Sequence, residues 1–451
     1  MPKRIKTICY HGNNALQKAR ARRNFPAHIH VNNDVQYMEL ALRLARRGYG
    51  ATSPNPMVGA VLVKGARVIG RGWHHRAGLP HAEIEALRDA QKHGHDPKGA
   101  TLYVTLEPCS THGRTPPCTD AIIAAGIKRV VVGATDPNPN HAGKAFKILK
   151  RAGIETAHGI LGDECARLNE AFNHWIVHST PFVTVKAGMT LDGKIATASG
   201  ESRWITGPEA RDYGMKLRQG MDAILVGVNT ILCDDPMLTF RPAKKTKTQK
   251  NLRRIILDSQ ARTPLKAKVV SDEFAALTTI VVSKNAPNRR VAALAKRVNI
   301  LVAPLYESSE LPQGFGVRQS SGALERMNAI ESGTGVPHSK TQARMEGSGY
   351  FLDLHWLMKK LGSQNVTSLL VEGGGETNAS FLFNGLAQRV MFFYAPKIMG
   401  GRDSRKGVAG EGVTRLSDAI QLRYVEWEKI GDDLAMTATV TGKRTWKGRS
   451  K

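Results

Sequence analysis

Short apolar segments alternate with helix-patterned segments twice over in this chain, and that alternation restricts the fold more than any other feature. In the first run, "GAVLVKGARVIGRGW" alternates apolar and polar residues about Gly65, a strand-turn-strand pattern. It is followed by helical "AEIEALRDAQKHG", the buried strand "ATLYVTLEPC", helical "TDAIIAAG" and a further strand, "IKRVVVGATD". Upstream, "DVQYMELALRLARRGYG" has apolar residues at helical spacing, with Asp34 placed as an N-cap and Gly48 near the stop. A second run opens at Phe182. Here "PFVTVKAG", "DAILVGVNT", "RRIILDS", "TTIVVS" and "NILVAP" are strands, and "VTSLLVEGGGETNASFLFNG" is strand, glycine turn and helix. Such alternation buries both faces of a mostly parallel sheet, so each run is expected to form an α/β layer.

At 451 residues the chain exceeds the usual size of one core, and two domains are expected. The reading divides it into a basic extension, 1–33, a first domain, 34–178, and a second domain, 179–447. Within the second, residues 306–349 turn to Ser, Gly, Gln and Glu without periodicity. That is far beyond an ordinary connection, and a mobile insertion is expected. The cysteines (Cys9, Cys109, Cys118, Cys165, Cys233) are few, odd in number and irregularly spaced, unlike a disulfide framework and consistent with a reducing compartment. With no run of about 18 apolar residues and no apolar core of a secretory signal, a soluble cytoplasmic protein is expected.

The formal charge of +27 invites a nucleic-acid reading, since clustered Lys and Arg gain affinity by releasing phosphate counterions. The charge is spread out, however. Its densest pieces, the acid-free opening from Lys3 to Arg23 and the stretch from Lys244 to Arg254, look like tails or loops. A solvated surface with some attraction for phosphorylated small molecules accounts for it better. The Arg-rich opening lacks serine and fits an organelle transit peptide poorly.

A hydrolytic zinc site needs three protein ligands, an open position for water, and a carboxylate that moves protons without binding the metal. His81 and Glu83 stand two apart at a helix start, so one can face a metal and the other a substrate. Cys109 lies just past the strand "LYVTLEP", and Cys118 just before "TDAIIAAG", where peptide dipoles favour a thiolate. Alone, a His-x-Glu and two cysteines are no more than a surface dipeptide and two half-buried thiols. In the order His-Ala-Glu, helix, strand, Glu-Pro-Cys, and Cys opening the next helix, they match the signature of zinc nucleobase deaminases.

The common form of that signature has two residues between the cysteines, whereas eight intervene here, "STHGRTPP". This loop, with "SPNPMVGAVLV" and "RAGLPHAE", resembles the deaminase half of the bifunctional riboflavin-biosynthesis deaminase-reductase family. The resemblance continues through "KAGMTLDGKIATASGESRWITG", "LRQGMDAILVGVNTILCDDPMLTFR" and "LLVEGGGETNASFL". It spans about residues 36 to 445 except the insertion. It implies an N-terminal cytidine-deaminase-like α/β/α layer and a C-terminal α/β domain like dihydrofolate reductase. It also implies one zinc per chain on His81, Cys109 and Cys118, with Glu83 carrying a proton from the attacking water to the leaving ammonia. Asn55 and His74 match positions lining the pyrimidine pocket, although an Asn between prolines is as often a turn residue. Arg114 matches a basic position of the loop. Where many relatives have His, this chain has Thr111, which puts one substrate contact in doubt, and His112 is the residue that could replace it.

In the second domain "VEGGGETN" follows an apolar strand and opens a helix. Consecutive glycines let backbone N–H groups approach a pyrophosphate, but the same text serves a tight turn, and it is no G-x-G-x-x-G. The resemblance implies that NADPH binds there, meeting Gly188, Trp204, Thr230, Asp234, Ser259 and the loop Gly374, Gly375, Glu376 and Thr377. It places the phosphoribosyl substrate against Lys186, Ser202, Arg218, Leu238, Arg241 and Glu372. Arg218 and Arg241 can hold the 5′-phosphate by bidentate hydrogen bonds, helped by Ser202. Asp192 and Glu372 both stand as donors of the proton that accompanies hydride transfer.

The chain is therefore expected to deaminate a phosphorylated pyrimidine and then reduce its ribosyl chain, as a homo-oligomer like its family and without nucleic acid or membrane. Two rivals are weighed against this. A nucleic-acid-editing deaminase needs stacking aromatics near its pocket, yet aromatics are 6% of the chain and are not interleaved with Lys or Arg. A structural zinc module needs a fourth ligand, for which His112 is the obvious candidate.

Overall fold

The computed structural model describes residues 31–112, 116–139, 141–241, 252–307 and 350–441. Most of the basic extension, Arg114 and nearly all of the 306–349 insertion lie outside them.

The first sheet comprises β1 (Gly59–Lys64), β2 (Arg67–Trp73), β3 (Thr101–Leu106), β4 (Arg129–Ala134) and β5 (Glu155–His158), in the order β2-β1-β3-β4-β5. Strands β3, β4 and β5 are parallel, but β1 runs antiparallel to both β2 and β3, so the sheet is less parallel than the alternation suggests. For β1 and β2 the reason is the two-residue turn at Gly65 and Ala66, which can only join antiparallel neighbours. Alternate residues of each strand serve opposite layers. Ala60, Leu62, Leu102 and Val104 pack with α2 (Ala82–Lys92), α3 (Cys118–Ala124) and α4 (Lys144–Arg151). Val61, Val63 and Tyr103 pack with α1 (Val31–Ala45) and Cys165 of α5 (Gly162–Leu168). The result is an α/β/α layer, after which α6 (Glu170–His178) leads towards the second sheet.

Helix α1 starts at Val31, three residues before the expected cap, and Asp34 sits in its first turn. Its carboxylate is drawn inward instead, accepting hydrogen bonds from Arg129 Nη1 and Nη2 (3.0 and 2.9 Å) and from the Tyr103 hydroxyl (2.7 Å).

The second sheet has nine strands, in the order β11-β10-β9-β8-β14-β6-β15-β18-β17. These are β6 (Phe182–Thr190), β8 (Ala223–Gly227), β9 (Arg253–Leu257), β10 (Thr278–Ser283), β11 (Asn299–Ala303), β14 (Ser368–Val371), β15 (Arg389–Ala395), β17 (Gln421–Ile430) and β18 (Asp433–Thr441). The first seven in that order are parallel, and the C-terminal hairpin β17–β18 continues them antiparallel. Short pairs form β7 (Lys194–Ala196) with β16 (Arg405–Lys406), and β12 (Leu305–Glu307) with β13 (Tyr350–Leu352). Again the strands face two ways. Ile224, Val226, Ile256, Ile280 and Val282 pack with α8 (Val228–Asp234), α9 (Lys268–Ser271) and α10 (Asn288–Ala295). Val183, Val185, Leu225, Ile255 and Val281 pack with α11 (Leu354–Ser363) and α12 (Gly375–Phe383). Helix α7 (Pro208–Gly220) precedes β8. The segment "DAILVGVNT" stops being strand at Gly227, and its last three residues open α8.

The domains abut directly. Trp175 Nε1 donates to the Gly362 carbonyl at 2.9 Å, and Arg389 clasps Glu170 with both prongs of its guanidinium.

Candidate active sites

Gly72 fixes where α2 begins relative to the first sheet: a Cβ there would lie 2.2 Å from the Ala82 carbonyl oxygen, so only glycine lets the helix settle this close. His81 is the N-cap of α2 and Glu83 is in its first turn. Cys109 follows the end of β3, and Cys118 is the first residue of α3. The His81 Nδ1 lies 3.3 Å from Cys118 Sγ and 3.5 Å from Cys109 Sγ, and all three candidate ligand atoms fall within 4.8 Å of one another. The Cys118 N–H donates to Cys109 Sγ at 3.2 Å. A hydrogen bond from the Cys118 thiol lowers the Cys109 thiol to about 4, helped by His81, while Cys118 is pushed up by the same shared proton. Thiolate character gathered between two sulfurs and one imidazole is a donor set that fits zinc, and these three are the candidate ligands among the described residues. Glu83 is 3% exposed, and burial pushes its carboxyl up from the ordinary carboxylate value, the direction that suits a proton shuttle.

The cluster forms one wall of a cavity of about 260 Å³. Asn55 and His74 line it too, joined Nδ2 to Nε2 at 3.1 Å, while His74 Nδ1 lies 3.0 Å from the Pro80 carbonyl oxygen. Burial lowers the His74 pKa, so the ring is neutral, its Nδ1–H donates to Pro80 and its Nε2 accepts from Asn55.

The second site gathers at the carboxyl ends of the parallel strands, where open α/β sheets bind ligands. Glu372 follows β14 and receives Arg218 side-on, Nε to Oε1 at 3.1 Å and Nη2 to Oε2 at 2.8 Å. Arg218 Nη1 donates to the Thr239 carbonyl at 3.0 Å, which ties the loop after α8 to the same guanidinium. That loop carries Leu238, buried with a left-handed φ of 51°, and the exposed Arg241. Ser202 Oγ donates to Asp234 at 3.4 Å. Trp204 is 65% exposed, with the Arg211 guanidinium 4.6 Å from its ring centre. Gly188 and Lys186 lie on β6, and Lys186 Nζ sits over the Phe393 ring at 5.6 Å. Ser259 follows β9, its carbonyl taking both the N–H and the hydroxyl of Ser283.

The glycine turn is tight on one side and open on the other. A Cβ on Gly375 would lie 2.2 Å from the Lys406 carbonyl oxygen, whereas one on Gly374 would meet nothing within 4 Å. Thr377 closes the turn beneath Gly373 and against Gly227. An open backbone stretch at the head of α12 fits a pyrophosphate-bearing cofactor.

The comparisons with known proteins divide the chain at the same place as the two sheets. Residues 31–134 match the family model for the cytidine and deoxycytidylate deaminase zinc-binding region, and residues 181–436 match the RibD C-terminal domain. The riboflavin biosynthesis protein RibD of Aquifex aeolicus is 40% identical over 403 residues, which are 89% of this chain and 97% of that protein. The chain belongs to the RibD family. The Escherichia coli RibD is 38% identical, over 89% of this chain and 98% of that one. The solved structure of Acinetobacter baumannii RibD, form 1, superposes with a TM-score of 0.72 at 31% identity, covering 91% of this chain and 99% of the other. A Thermotoga maritima structure described as a diaminohydroxyphosphoribosylaminopyrimidine deaminase/5-amino-6-(5-phosphoribosylamino)uracil reductase gives 0.69 at 32%, covering 92% and 100%. The chain is accordingly a bifunctional deaminase and reductase of riboflavin biosynthesis, with a zinc-binding deaminase domain followed by an NADPH-dependent reductase domain.

Within the chain, His81, Cys109, Cys118 and Glu83 come together with Asn55 and His74, and Thr111 also lines the cavity. Sequence reasoning missed Glu107, whose carboxylate takes the backbone N–H groups of Asp136, Gly143 and Ala145 at 3.0 to 3.1 Å. It thereby pins to the end of β3 the loop bearing Asp136, Asn138 and His141, all three of which face the cavity. The signal lay in "LEPC" and "TDPNP", an acid and a polar turn each ending a strand. Phe172 and Ile176 of α6 also line the cavity, and nothing set them apart from ordinary core residues. Of the two carboxylates considered as proton donors in the reductase, Asp192 is held at about 2 by Thr190 and the N–H groups of Met399 and Gly400. Burial pushes Glu372 up, but Arg218 and Lys186 outweigh it and hold that carboxyl at about 2 as well. Neither carries a proton near neutral pH.

Proposed function

We propose that the first site deaminates 2,5-diamino-6-(5-phosphoribosylamino)pyrimidin-4-one, and that the second reduces the ribosyl chain of 5-amino-6-(5-phosphoribosylamino)uracil to ribityl. The observation that carries the reading is the pairing, on one chain, of the His81, Cys109 and Cys118 cluster beside buried Glu83 with a second, separate site around Arg218 and Glu372. The reading assigns residues 34–178 to deamination and 179–447 to reduction.

In the first site, zinc when bound supplies the Lewis acidity that lets water act as a nucleophile near neutral pH. Glu83 takes a proton from that water and delivers it to the leaving amine, a role suited to a carboxyl raised by burial. Asn55, its side chain oriented by neutral His74, reads the pyrimidine edge beside Thr111, and Arg114, outside the described residues, is assigned to the substrate on the family motif alone. In the second site, NADPH supplies the hydride. Gly374, Gly375, Glu376 and Thr377 hold its pyrophosphate, while Gly188, Trp204, Thr230, Asp234 and Ser259 place the rest. Arg241 and the N–H groups of Arg218 not engaged by Glu372 and Thr239 hold the 5′-phosphate, with Ser202, Leu238 and Lys186 around the sugar.

The reading includes a homo-oligomer. It is supported by the edge strand β17, which exposes Tyr424 (81%) and Trp427 (59%), a surface better suited to a second copy than to water. It excludes nucleic acid as substrate and places the enzyme in the cytoplasm, where thiols such as Cys109 and Cys118 stay reduced. No helix among the described residues is long and apolar enough to cross a membrane. Ammonia release measured on the diaminopyrimidine phosphate, on single-stranded RNA and on single-stranded DNA tests it. Release from the small molecule alone is expected, and release from either polymer at a comparable rate would reverse the assignment.

A further inference from the structure

The loop that leads into the deaminase pocket is not held by its own domain alone. Residues Tyr49 to Ser53 run across the last turn of α7 and the start of β8, both in the reductase domain. The Tyr49 hydroxyl donates to the Lys216 carbonyl at 3.2 Å. A Cβ on Gly50 would lie 2.3 Å from the Gln219 carbonyl oxygen, and one on Gly220 would lie 2.2 Å from the Tyr49 hydroxyl, so the two backbones are in closest packing there. Asp222 then takes the loop's end. Its Oδ2 accepts from Ser53 Oγ at 2.7 Å, from the Thr367 N–H at 2.9 Å and from Thr367 Oγ1 at 2.8 Å. Thr367 is 5% exposed and leads directly into β14, so the carboxylate is anchored on the sheet itself.

Two residues beyond Ser53 stands Asn55, whose N–H turns back to the Thr52 carbonyl at 2.9 Å and whose side chain meets His74 in the pocket. A charge-assisted hydrogen bond at Ser53 therefore fixes the origin of a tight turn whose next side chain faces the pyrimidine site. We propose that Asp222, a residue of the reductase domain, is a positioning residue for deamination: through Ser53 it sets where Asn55 stands in the deaminase pocket. This rests on the reading of Asn55 as a substrate contact. Asp222 touches no reacting group, and it lies at the amino end of β8, whereas the reductase site gathers at the carboxyl ends of the strands. A loosened turn shifts Asn55 without disturbing His81, Cys109, Cys118 or Glu83, so the loss falls on substrate binding and leaves the zinc ligands alone.

The test uses the full chain and compares Asp222→Ala, Ser53→Ala, Ser53→Thr and Asn55→Ala. For each, the deaminase KM and kcat, the zinc content and the reduction of pre-formed deaminated substrate are measured. Asp222→Ala and Ser53→Ala are expected to raise the deaminase KM about tenfold, with kcat changed less than KM, zinc retained and reduction unchanged. Their combination is expected to add little to either alone, since both cut one link. Ser53→Thr keeps the hydroxyl and is expected to restore the wild-type KM. A wild-type KM in Ser53→Ala overturns the proposal, and this variant decides the matter if Asp222→Ala does not fold. Loss of zinc or of reduction in parallel with deamination also overturns it, because it marks a general loosening of the interface. A wild-type KM in Asn55→Ala instead removes Asn55 from the substrate site, and it does so whatever the tether variants show.

Discussion

Arg218 and Glu372 are joined by two parallel hydrogen bonds, with side-chain exposures of only 11% and 13%. Glu372 is held at about 2, below the roughly 4.3 of an unfolded glutamate, so the pair's contribution to stability is complete above about pH 4.3 and is lost as pH falls through about 2. In Arg218→Met the carboxylate keeps its burial and loses its main partner, which costs about 3–5 kcal/mol at neutral pH. Urea unfolding at several pH values measures this. The gap between wild type and variant is expected to be widest at pH 7 and to narrow in acid, where the variant's Glu372 takes up a proton. A gap that stays constant with pH would show that the pair is not what the substitution removes.

The glycine turn gives a second expectation. Gly374→Ala has room for its methyl group in the unliganded protein, so thermal stability should hold while NADPH affinity falls about tenfold, because the space beyond Gly374 is where the pyrophosphate approaches the backbone. Gly375→Ala drives its methyl into the Lys406 carbonyl and is expected to cost about 1–3 kcal/mol of stability. Calorimetric titration with NADPH and thermal melting separate the two. Unchanged affinity in Gly374→Ala would take this turn out of the cofactor site.

Chelation should divide the enzyme in function. Among the described residues His81, Cys109 and Cys118 form a single cluster, and Cys165 and Cys233 stand outside it, so one zinc per chain is expected. Removing it should abolish ammonia release and leave reduction of pre-formed deaminated substrate intact. Cys109→Ser/Cys118→Ser should behave in the same way. Metal analysis of that double variant showing zinc retained would sink the ligand assignment.

Arg254 is fully buried, and its donors are spent on Thr278 Oγ1 (2.8 Å), the Met237 carbonyl (3.0 Å), the Val269 carbonyl (3.1 Å) and both oxygens of Asp272 (2.6 and 2.7 Å). Asp272→Ala leaves that cation without its counter-charge and is expected to destabilise the fold by about 3–5 kcal/mol. The bond to Met237 holds the loop that presents Leu238 and Arg241, so the reductase KM should rise with it. Denaturant unfolding together with reductase kinetics measures both effects.

The strands, the two-domain order and the zinc cluster were legible because each is written locally: apolar alternation for strands, and ligands at strand and helix ends for the metal. Asp34 misled because its partner is distant in sequence. An acid before an apolar helix reads as a cap, but Arg129, 95 residues away, draws it into the first turn. The pairing of Arg218 with Glu372, the grip of Glu107 on its loop and the reach of Asp222 to Ser53 join residues separated by 154, 29 to 38, and 169 positions. No periodicity records such separations. Strands β15, β17 and β18 were not read from the sequence; for β17 the reason is that an exposed edge strand lacks the apolar run that marks buried ones, whereas β15 carries such a run and was simply passed over.

The central claim is that one chain carries two separable sites acting in sequence, and mixing two variants tests it most directly. Glu83→Gln keeps the zinc ligands and removes the shuttle, so ammonia release should fall by at least ~10²-fold while pre-formed deaminated substrate is still reduced. Arg218→Ala should impair reduction and leave ammonia release nearly unchanged. Ammonia release and substrate-dependent NADPH oxidation are then followed for each variant and for the two mixed together. The account predicts that the mixture restores the overall conversion, because the deaminated intermediate passes from one molecule to the other. If Glu83→Gln, folded and zinc-loaded, also failed to reduce the pre-formed intermediate, the two reactions would share one composite site and the account would be contradicted.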